Sequence, residues 1–285
     1  MMDDTVAAAF PFFLDADPGT RFCLFHAPLT EHPRGAILYV PPFAEELNKC
    51  RRMAAMQSRC FAQAGYAVLQ LDLYGCGDSD GDFGDARWHV WLNDIEYACR
   101  WLREFGYPRP ALWGARLGAL LALDFACTSP DPPPALILWQ AALSGSRYIK
   151  QFLRVETAAQ MLAPDGAARA AGIVPSAKPL EVAGYTLAPA LIQAIGERDA
   201  AQRTPPCPVH WLEVDSTGPA ATSDTPDQVA TTAAVSPSSA RQIEQWRTAG
   251  VPVTVQAVAG QAFWASTEIV LCPALLDATT TLELP

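Results

Sequence analysis

Basic residues are scarce in this sequence. It has 20 lysines and arginines against 30 aspartates and glutamates, a formal net charge of −10 and a pI near 4.8. Such a charge repels phosphate backbones, so nucleic acid is not expected as a partner, and no polybasic stretch indicates a membrane anchor. Charged residues make up only 18% of the chain and hydrophobic residues 50%. This composition argues against a disordered or coiled-coil protein and predicts a large core.

Long hydrophobic runs are also missing. A bilayer crossing needs about 20 apolar residues, whereas the best candidate, Leu117–Phe125, is short and contains Asp124. The first residues, Met1 to Asp4, are acidic where a signal peptide needs positive charge. We therefore predict a cytoplasmic protein without a membrane span.

The cysteines lack metal-ligand spacing. The chain has eight of them and no C-x-x-C pair, which favours reduced, packed thiols over disulfides or a zinc site. Asp80, Asp82 and Asp85 alternate with glycines but lack the 12-residue spacing and final glutamate of a calcium loop. The sequence predicts neither a metal nor another cofactor.

From residue 36 to residue 139 the chain alternates between strand-like and helix-like segments. Apolar runs at Ala36–Val40, Tyr66–Leu73, Ala111–Trp113 and Ala135–Trp139 are separated by helical periodicity, including the almost wholly apolar Leu117–Cys127. Near-continuous apolar strands between helices predict a mostly parallel sheet with helices on both faces.

The rest of the chain predicts a core with an insertion. Residues 144–203 show mixed helical pieces without a strong strand and are expected to form a helical cap, so the core comprises 1–143 and 204–285. Residues 216–239, rich in Thr, Ser, Ala, Pro and Asp, predict a mobile loop within the core. The expected final elements are a strand at Val209–Val214, a helix at Gln242–Ala249, a strand at Val251–Val258 and a helix at Thr267–Ala278.

Three motifs together indicate the α/β-hydrolase fold. Gly114-Ala115-Arg116-Leu117-Gly118 joins a strand to a buried helix, where that fold has a tight G-x-S-x-G turn, the nucleophile elbow. Asp72 to Ser79 form a turn-rich segment after the preceding strand. The loop Pro41 to Glu46 lies where a backbone N–H of the oxyanion hole is expected.

The same motifs resemble a narrower family. Residues 41–49 (Pro-Pro-Phe-Ala-Glu-Glu-Leu-Asn-Lys), Arg51-Arg52-Met53, the elbow and Phe263-Trp264 before Glu268-Ile269 are similar to the exosortase A system-associated hydrolase, type 2. This resemblance implies a bacterial protein encoded beside systems for surface-protein sorting and exopolysaccharide synthesis. It also implies hydrolysis, of the ester or acyl type, without specifying a substrate.

Two of the three groups of a Ser-His-Asp triad are missing. Arg116 occupies the elbow, and its guanidinium is not a nucleophile at neutral pH. None of the four histidines (His26, His32, His89, His210) follows the last predicted strand, where Gln261, Phe263 and Trp264 lie instead. Only an acid remains, at Glu213 or Asp215, so the usual triad mechanism is excluded.

Other nucleophiles and bases are weaker candidates. Cys76 lies in a glycine-flanked loop and is more simply a small turn residue, since no neighbouring base is identifiable. Ser79 and His210 likewise favour structural roles.

The position of Arg116 leaves two interpretations open. Above a helix N-terminus, a guanidinium favours bidentate binding of carboxylate, phosphate or sulfate. Alternatively, Glu45 or Glu46 on the facing loop forms an internal ion pair with it, because an unpaired buried arginine is costly.

Two functional hypotheses follow. In the first, the protein is a hydrolase with Arg116, Glu45, Glu46 and Asp215 as catalytic candidates, where Glu46 activates water and the backbone of Phe43 or Ala44 and of Leu117 holds the oxyanion. In the second, it is a non-catalytic module that binds an anionic saccharide, an acyl carrier or a sorting partner. In both, Gln261 and Trp264 are expected to line the ligand site, Trp264 as an apolar or sugar-stacking wall or as filler for the missing histidine.

Overall fold

The computed structural model describes residues 8–161, 179–182, 184–216 and 233–285. Its strands are β1 (Ala9–Asp15), β2 (Thr20–His26), β3 (Gly35–Val40), β4 (Tyr66–Leu71), β5 (Ala111–Ala115), β6 (Leu136–Trp139), β7 (Leu180–Val182), β8 (Tyr185–Leu187), β9 (Val209–Asp215) and β10 (Val253–Ala259). Its helices are α1 (Glu45–Gln63), α2 (Trp88–Glu104), α3 (Leu117–Thr128), α4 (Gly145–Met161), α5 (Pro189–Gly196), α6 (Pro237–Thr248) and α7 (Pro273–Thr280).

The main sheet has eight strands in the order β1-β2-β4-β3-β5-β6-β9-β10. The hairpin β1–β2 joins β4 in antiparallel fashion, and all the following pairs are parallel. Parallel neighbours bring their carboxyl ends to one edge, so the loops after β3, β5, β6 and β9 meet there. The architecture confirms the predicted α/β-hydrolase fold.

Alternation along the central strands divides the core into two layers. Leu38, Leu69 and Leu112 face a layer that α2, α3 and α6 cover. Ile37, Val68 and Trp113 face the opposite layer, under α1 and α7. Both faces of the sheet are therefore covered, which explains why these strands are apolar without interruption.

The insertion between β6 and β9 differs in part from the prediction. It contains α4, the antiparallel hairpin β7–β8 and α5, so the expectation of helical pieces without a strand was incomplete. The two strands have three residues each, too few for alternation to be recognisable. Residues 162–178 of the predicted cap lie outside the described residues.

Two boundaries in the last third also differ. Helix α6 begins at Pro237, capped by the Ser236 hydroxyl, so the end of the predicted 216–239 loop is helical. The middle of that loop, 217–232, is outside the described residues. Helix α7 begins at Pro273 rather than Thr267, because proline is favoured at the first helical position. No helix in the described part of the chain combines the length and apolarity that a bilayer crossing requires.

A buried carboxylate ties the insertion to the core. Asp124, in the middle of α3, accepts hydrogen bonds from the Trp88 indole and from Arg198 Nε, both at 2.8 Å. Arg203 Nη2 lies 2.6 Å from its other oxygen. These two arginines come from the segment that leads out of the insertion, so its exit is held against the buried helix by charge.

A second buried ion pair joins strand β2 to helix α2. Arg21 Nε lies 2.7 Å from Asp94 Oδ1, and both side chains are 0% exposed. The other Asp94 oxygen accepts the Tyr74 N–H at 2.8 Å. Burial raises the pKa of Asp94 to about 6, although the Tyr74 N–H and Arg21 act in the opposite direction. Each charge therefore depends on the other for compensation.

We expect Asp94→Asn to reduce the free energy of unfolding by about 3–5 kcal/mol, because it leaves the Arg21 charge buried without a partner. Urea unfolding followed by tryptophan fluorescence measures this change. The matched control is Glu96→Gln on the same helix, which breaks the partly exposed pair with Arg103 and should cost no more than about 1 kcal/mol. Equal losses in the two variants would contradict this interpretation.

Candidate functional site

Arg116 occupies the elbow between β5 and α3, as predicted. Its φ of 55° and ψ of −118° are those of a strained turn. A Cβ on Gly114 would lie 2.6 Å from the Ala119 Cα, and one on Gly118 would overlap the carbonyl oxygens of Val40 and Pro41. Both glycines are therefore required for α3 to approach its own strand and the loop after β3.

Three non-glycine residues with positive φ surround this edge: Ala44, Arg116 and Gln140. Ala44 precedes α1, Arg116 precedes α3 and Gln140 follows β6. Such conformations cost about 1–3 kcal/mol each and persist where surrounding contacts enforce them. The Arg116 N–H donates to the Trp139 carbonyl at 2.9 Å, and the Gln140 N–H donates to the Leu212 carbonyl at 2.9 Å. Strain is thus concentrated around Arg116.

Glu46, not Glu45, is the ion-pair partner of Arg116. Arg116 Nε donates to the two Glu46 oxygens at 3.2 and 3.3 Å, and Nη2 donates to Oε1 at 3.1 Å. The Tyr148 hydroxyl from α4 donates to Oε2 at 2.8 Å. Arg116 Nη1 contacts only the Gln140 carbonyl among described acceptors, at a long 3.4 Å. Both carboxylate oxygens are thus engaged by Arg116 and one also by Tyr148, whereas one guanidinium nitrogen is weakly bound.

Aromatic rings cover the guanidinium. Its central carbon lies 5.2 Å from the Trp264 ring centroid and 5.7 Å from that of Tyr148. Burial alone would lower the pKa of Arg116, but the Glu46 carboxylate outweighs it and the pKa is raised. Burial and Glu46 also raise the pKa of Tyr148 well above its usual value. Arg116 therefore remains a charged hydrogen-bond donor, and the neighbouring Tyr148 hydroxyl remains protonated.

Trp264 packs against Arg116 from the loop after β10. It is 8% exposed and makes an edge contact with Phe263, which fills the core. The cation–π contact gives Trp264 a role that simple space filling does not describe. Gln261, in the same loop, is exposed.

Glu45 instead holds the hairpin of the insertion. The Tyr185 hydroxyl in β8 donates to Glu45 Oε1 at 3.2 Å. Tyr185 also contacts Phe83, which packs on Phe43 in the loop after β3. Consecutive glutamates of α1 thus each bind one tyrosine of the insertion, Glu46 that of α4 and Glu45 that of β8.

The predicted oxyanion donors lie at two neighbouring helix starts. Phe43 and Ala44 precede α1, Leu117 begins α3, and neither helix has a side-chain cap. The first N–H groups of a helix have no acceptor within it. Since β3 and β5 are parallel neighbours, both positive helix ends meet at Arg116. This arrangement favours an anion, and the role of each N–H remains a prediction.

The two acid candidates differ in their surroundings. Glu213 is buried and bonded to the Trp211 indole at 3.1 Å and the Ser236 N–H at 2.8 Å, a structural arrangement. Asp215 ends β9, as predicted, and its carboxylate accepts the Ala234 N–H at 3.4 Å. Its catalytic role remains a prediction.

The weaker candidates have structural surroundings. Burial, Asp72 and Asp94 raise the pKa of the Cys76 thiol, and the Ser79 hydroxyl donates to the Asp72 carbonyl at 2.6 Å. Burial, with Arg59, lowers the pKa of His26 to about 4, and burial lowers that of His210. Both histidines are therefore neutral at pH 7.

Sequence reasoning missed the contacts that Tyr148, Tyr185 and Gln140 make. The two tyrosines lie in the insertion, 102 and 140 residues from the glutamates they bind, so no spacing signals them. Gln140 has a signal that was available: a polar residue directly after an apolar strand. Its side chain accepts the Val214 N–H at 2.8 Å and joins β6 to β9 at the site.

Sheet order, elbow and helix placement define an α/β-hydrolase. The chain belongs to the serine aminopeptidase, S33 family (Hydrolase_4), whose model matches residues 31–206. A search of curated proteins finds no match.

Solved structures show the same fold at low identity. Est1E from Butyrivibrio proteoclasticus with ferulic acid bound has a TM-score of 0.62 at 15% identity, and the match covers 94% of this chain and 96% of the other. The proline iminopeptidase of Mycobacterium smegmatis has a TM-score of 0.55 at 12% identity, and the match covers 90% of this chain and 92% of the other. A serine hydrolase without lid from Xanthomonas campestris has a TM-score of 0.53 at 13% identity, and the match covers 93% of this chain and 88% of the other.

We expect Glu46→Gln to lower the free energy of unfolding by about 2 kcal/mol, because Arg116 loses its countercharge in a mostly buried site. The neighbouring Glu45→Gln keeps an amide oxygen that can accept the Tyr185 hydroxyl and should cost about 1 kcal/mol or less. Urea titrations of both variants test the difference. If Glu45→Gln lowers the free energy of unfolding more than Glu46→Gln does, the Arg116–Glu46 pair is not the main polar interaction of this site.

Proposed function

We propose that this protein uses the hydrolase site to bind an anionic ligand at Arg116 and does not turn it over by the serine chemistry of its fold. The observation that carries this proposal is the guanidinium at the elbow, paired with Glu46 and covered by Trp264. An arginine there supplies a charge and hydrogen-bond donors, not a nucleophile.

The bonding of Glu46 argues for binding over catalysis. A general base for water needs a free lone pair directed at the water. The Glu46 oxygens already accept contacts of 3.1–3.3 Å from Nε and Nη2 of Arg116 and one of 2.8 Å from the Tyr148 hydroxyl. Among the described contacts the carboxylate is committed to Arg116 and Tyr148, which argues against its use as a general base.

The surroundings of Arg116 support a ligand with an anionic group and a flat body. Among the described residues Arg116 Nη1 has only a 3.4 Å contact to the Gln140 carbonyl, and the start of α3 contributes positive potential. Trp264 and Tyr148 offer ring surfaces beside the guanidinium. A carboxylate or phosphate on a sugar or acyl group matches this chemistry. The exosortase and exopolysaccharide context implied by the family resemblance, with an acidic saccharide or acyl carrier as ligand, is part of the proposal.

Hydrolysis is the second candidate, and membership of the serine aminopeptidase, S33 family favours it. In this case Glu46 would activate water, Asp215 would assist, and Arg116 with the N–H groups of Phe43 or Ala44 and of Leu117 would stabilise the oxyanion. Such a water attack lacks the advantage of a covalent intermediate.

The two candidates respond in opposite ways to Glu46→Gln. For binding, removal of the internal carboxylate frees Arg116, so the affinity for ferulate should rise about tenfold, and Arg116→Ala should abolish it. Ferulate is a convenient probe because it joins a carboxylate to an aromatic ring. Isothermal titration calorimetry measures the affinity, with Glu45→Gln as the matched control at unchanged affinity.

Activity is followed in parallel with p-nitrophenyl acetate and a fluorophosphonate probe. The binding proposal expects no probe labelling and no turnover above the buffer rate in the unchanged protein. Turnover that disappears in Glu46→Gln would instead establish the hydrolytic candidate. Labelling by the fluorophosphonate probe would reveal a serine nucleophile and would refute both the binding proposal and the Glu46-based hydrolytic candidate.

A further inference from the structure

A second cleft lies between the start of α4, the turn at residues 199–201 and helix α6. It has a volume of about 350 Å³, which is in the range of small-molecule sites. Seven of the nine residues that line it are polar or charged, and the other two are Leu143 and Ala201. None of the residues proposed above for the Arg116 site lines it.

Gln242 gives this cleft an unsatisfied hydrogen-bonding group. Its side chain lines the cleft, the residue is 5% exposed, and its amide Nε2 has no partner among the described residues. A buried donor without an acceptor costs about 1–3 kcal/mol, and native structures satisfy nearly all such groups. A ligand acceptor would remove this cost.

The charge of the cleft is positive within an acidic protein. Arg147 and Arg241 line it, and neither guanidinium has a carboxylate within ion-pair distance among the described residues. Asp199 provides one opposing charge, but its Oδ1 already accepts the Ala201 N–H at 2.9 Å. Two arginines against one partly bonded carboxylate favour an anion.

The neutral lining indicates what the anion carries. The Ser144 hydroxyl pairs with that of Ser146 and the Ser238 hydroxyl with that of Ser236, both at 3.1 Å, so each can make a further hydrogen bond. Gln242 and Gln245 add amides, of which Gln245 Nε2 already donates to the Ala201 carbonyl at 2.8 Å. Hydroxyls and amides both donate and accept, so they match the hydroxyl groups of a sugar. We propose that this cleft is a binding site for a sugar acid, a polyhydroxylated small molecule with a carboxylate.

Helix α4 places this cleft next to the Arg116 site. Arg147 faces the cleft, and the next residue, Tyr148, donates to Glu46. The two sites share one helical turn but no lining residue, so the inference is independent of the function proposed for Arg116.

Glucuronate binding tests the proposal by isothermal titration calorimetry, with glucose and acetate as the sugar without the charge and the charge without the sugar. Arg241→Gln should weaken glucuronate binding about tenfold, the loss expected for one charge-assisted contact. Lys150→Gln, the same change of charge on an exposed residue of α4 outside the cleft, should leave it within about twofold. Because an acidic saccharide is also proposed as a ligand at Arg116, Arg116→Ala is titrated in parallel, and the glucuronate binding that remains in it should weaken about tenfold when Arg241→Gln is added.

Gln242→Leu distinguishes a ligand contact from a structural one. We expect weaker glucuronate binding with an unchanged or higher melting temperature, because the variant removes an unpaired buried amide. A lower melting temperature with intact binding would assign Gln242 to structure and overturn the proposal. Absent glucuronate binding, equal binding of acetate, or equal affinity in Arg241→Gln would overturn it as well.

Discussion

The ion pair between Arg116 and Glu46 is the interaction on which the site depends. It joins the elbow to the start of α1, and Tyr148 joins both to the insertion. The pair is mostly buried, with side-chain exposures of 15% and 19%. Neither charge is tolerable there alone. Because the strained backbone at Ala44, Arg116 and Gln140 surrounds the pair, loss of either partner would leave both a charge and a strained turn without support.

The backbone geometry of the elbow does not depend on which side chain occupies its central position. Gly114 and Gly118 allow the tight approach of strand, helix and loop whatever side chain lies between them. The turn directs that side chain to the carboxyl edge, beside two helix N-termini. A serine there would meet an oxyanion hole, whereas an arginine meets a carboxylate, and its positive charge adds to the potential that both helices already provide. Under the proposed function, the same fold would serve anion binding instead of nucleophilic catalysis, because the elbow serine and the histidine after the last strand are both absent from the sequence.

Buried charge also determines how the insertion is attached. Asp124 lies in a helix that is apolar on nearly every side, yet it binds Trp88, Arg198 and Arg203. At the opposite end, Glu45 and Glu46 hold Tyr185 and Tyr148. The insertion is therefore fastened by directional polar contacts at both ends, and the aromatic contacts around Phe43 fill the space between them.

The sequence by itself determined the class of fold, the central strands and the absence of a serine from the elbow. These depend on local signals: continuous apolar strands, helical periodicity and glycine spacing are readable along the chain. It also restricted the partner of Arg116 to Glu45 or Glu46. Only the tertiary structure decided between them, since neighbouring residues of a helix point in different directions and composition does not record orientation. Tyr148, Tyr185 and the packing of Trp264 on Arg116 were likewise decided by tertiary structure, because each contact joins residues far apart in the chain.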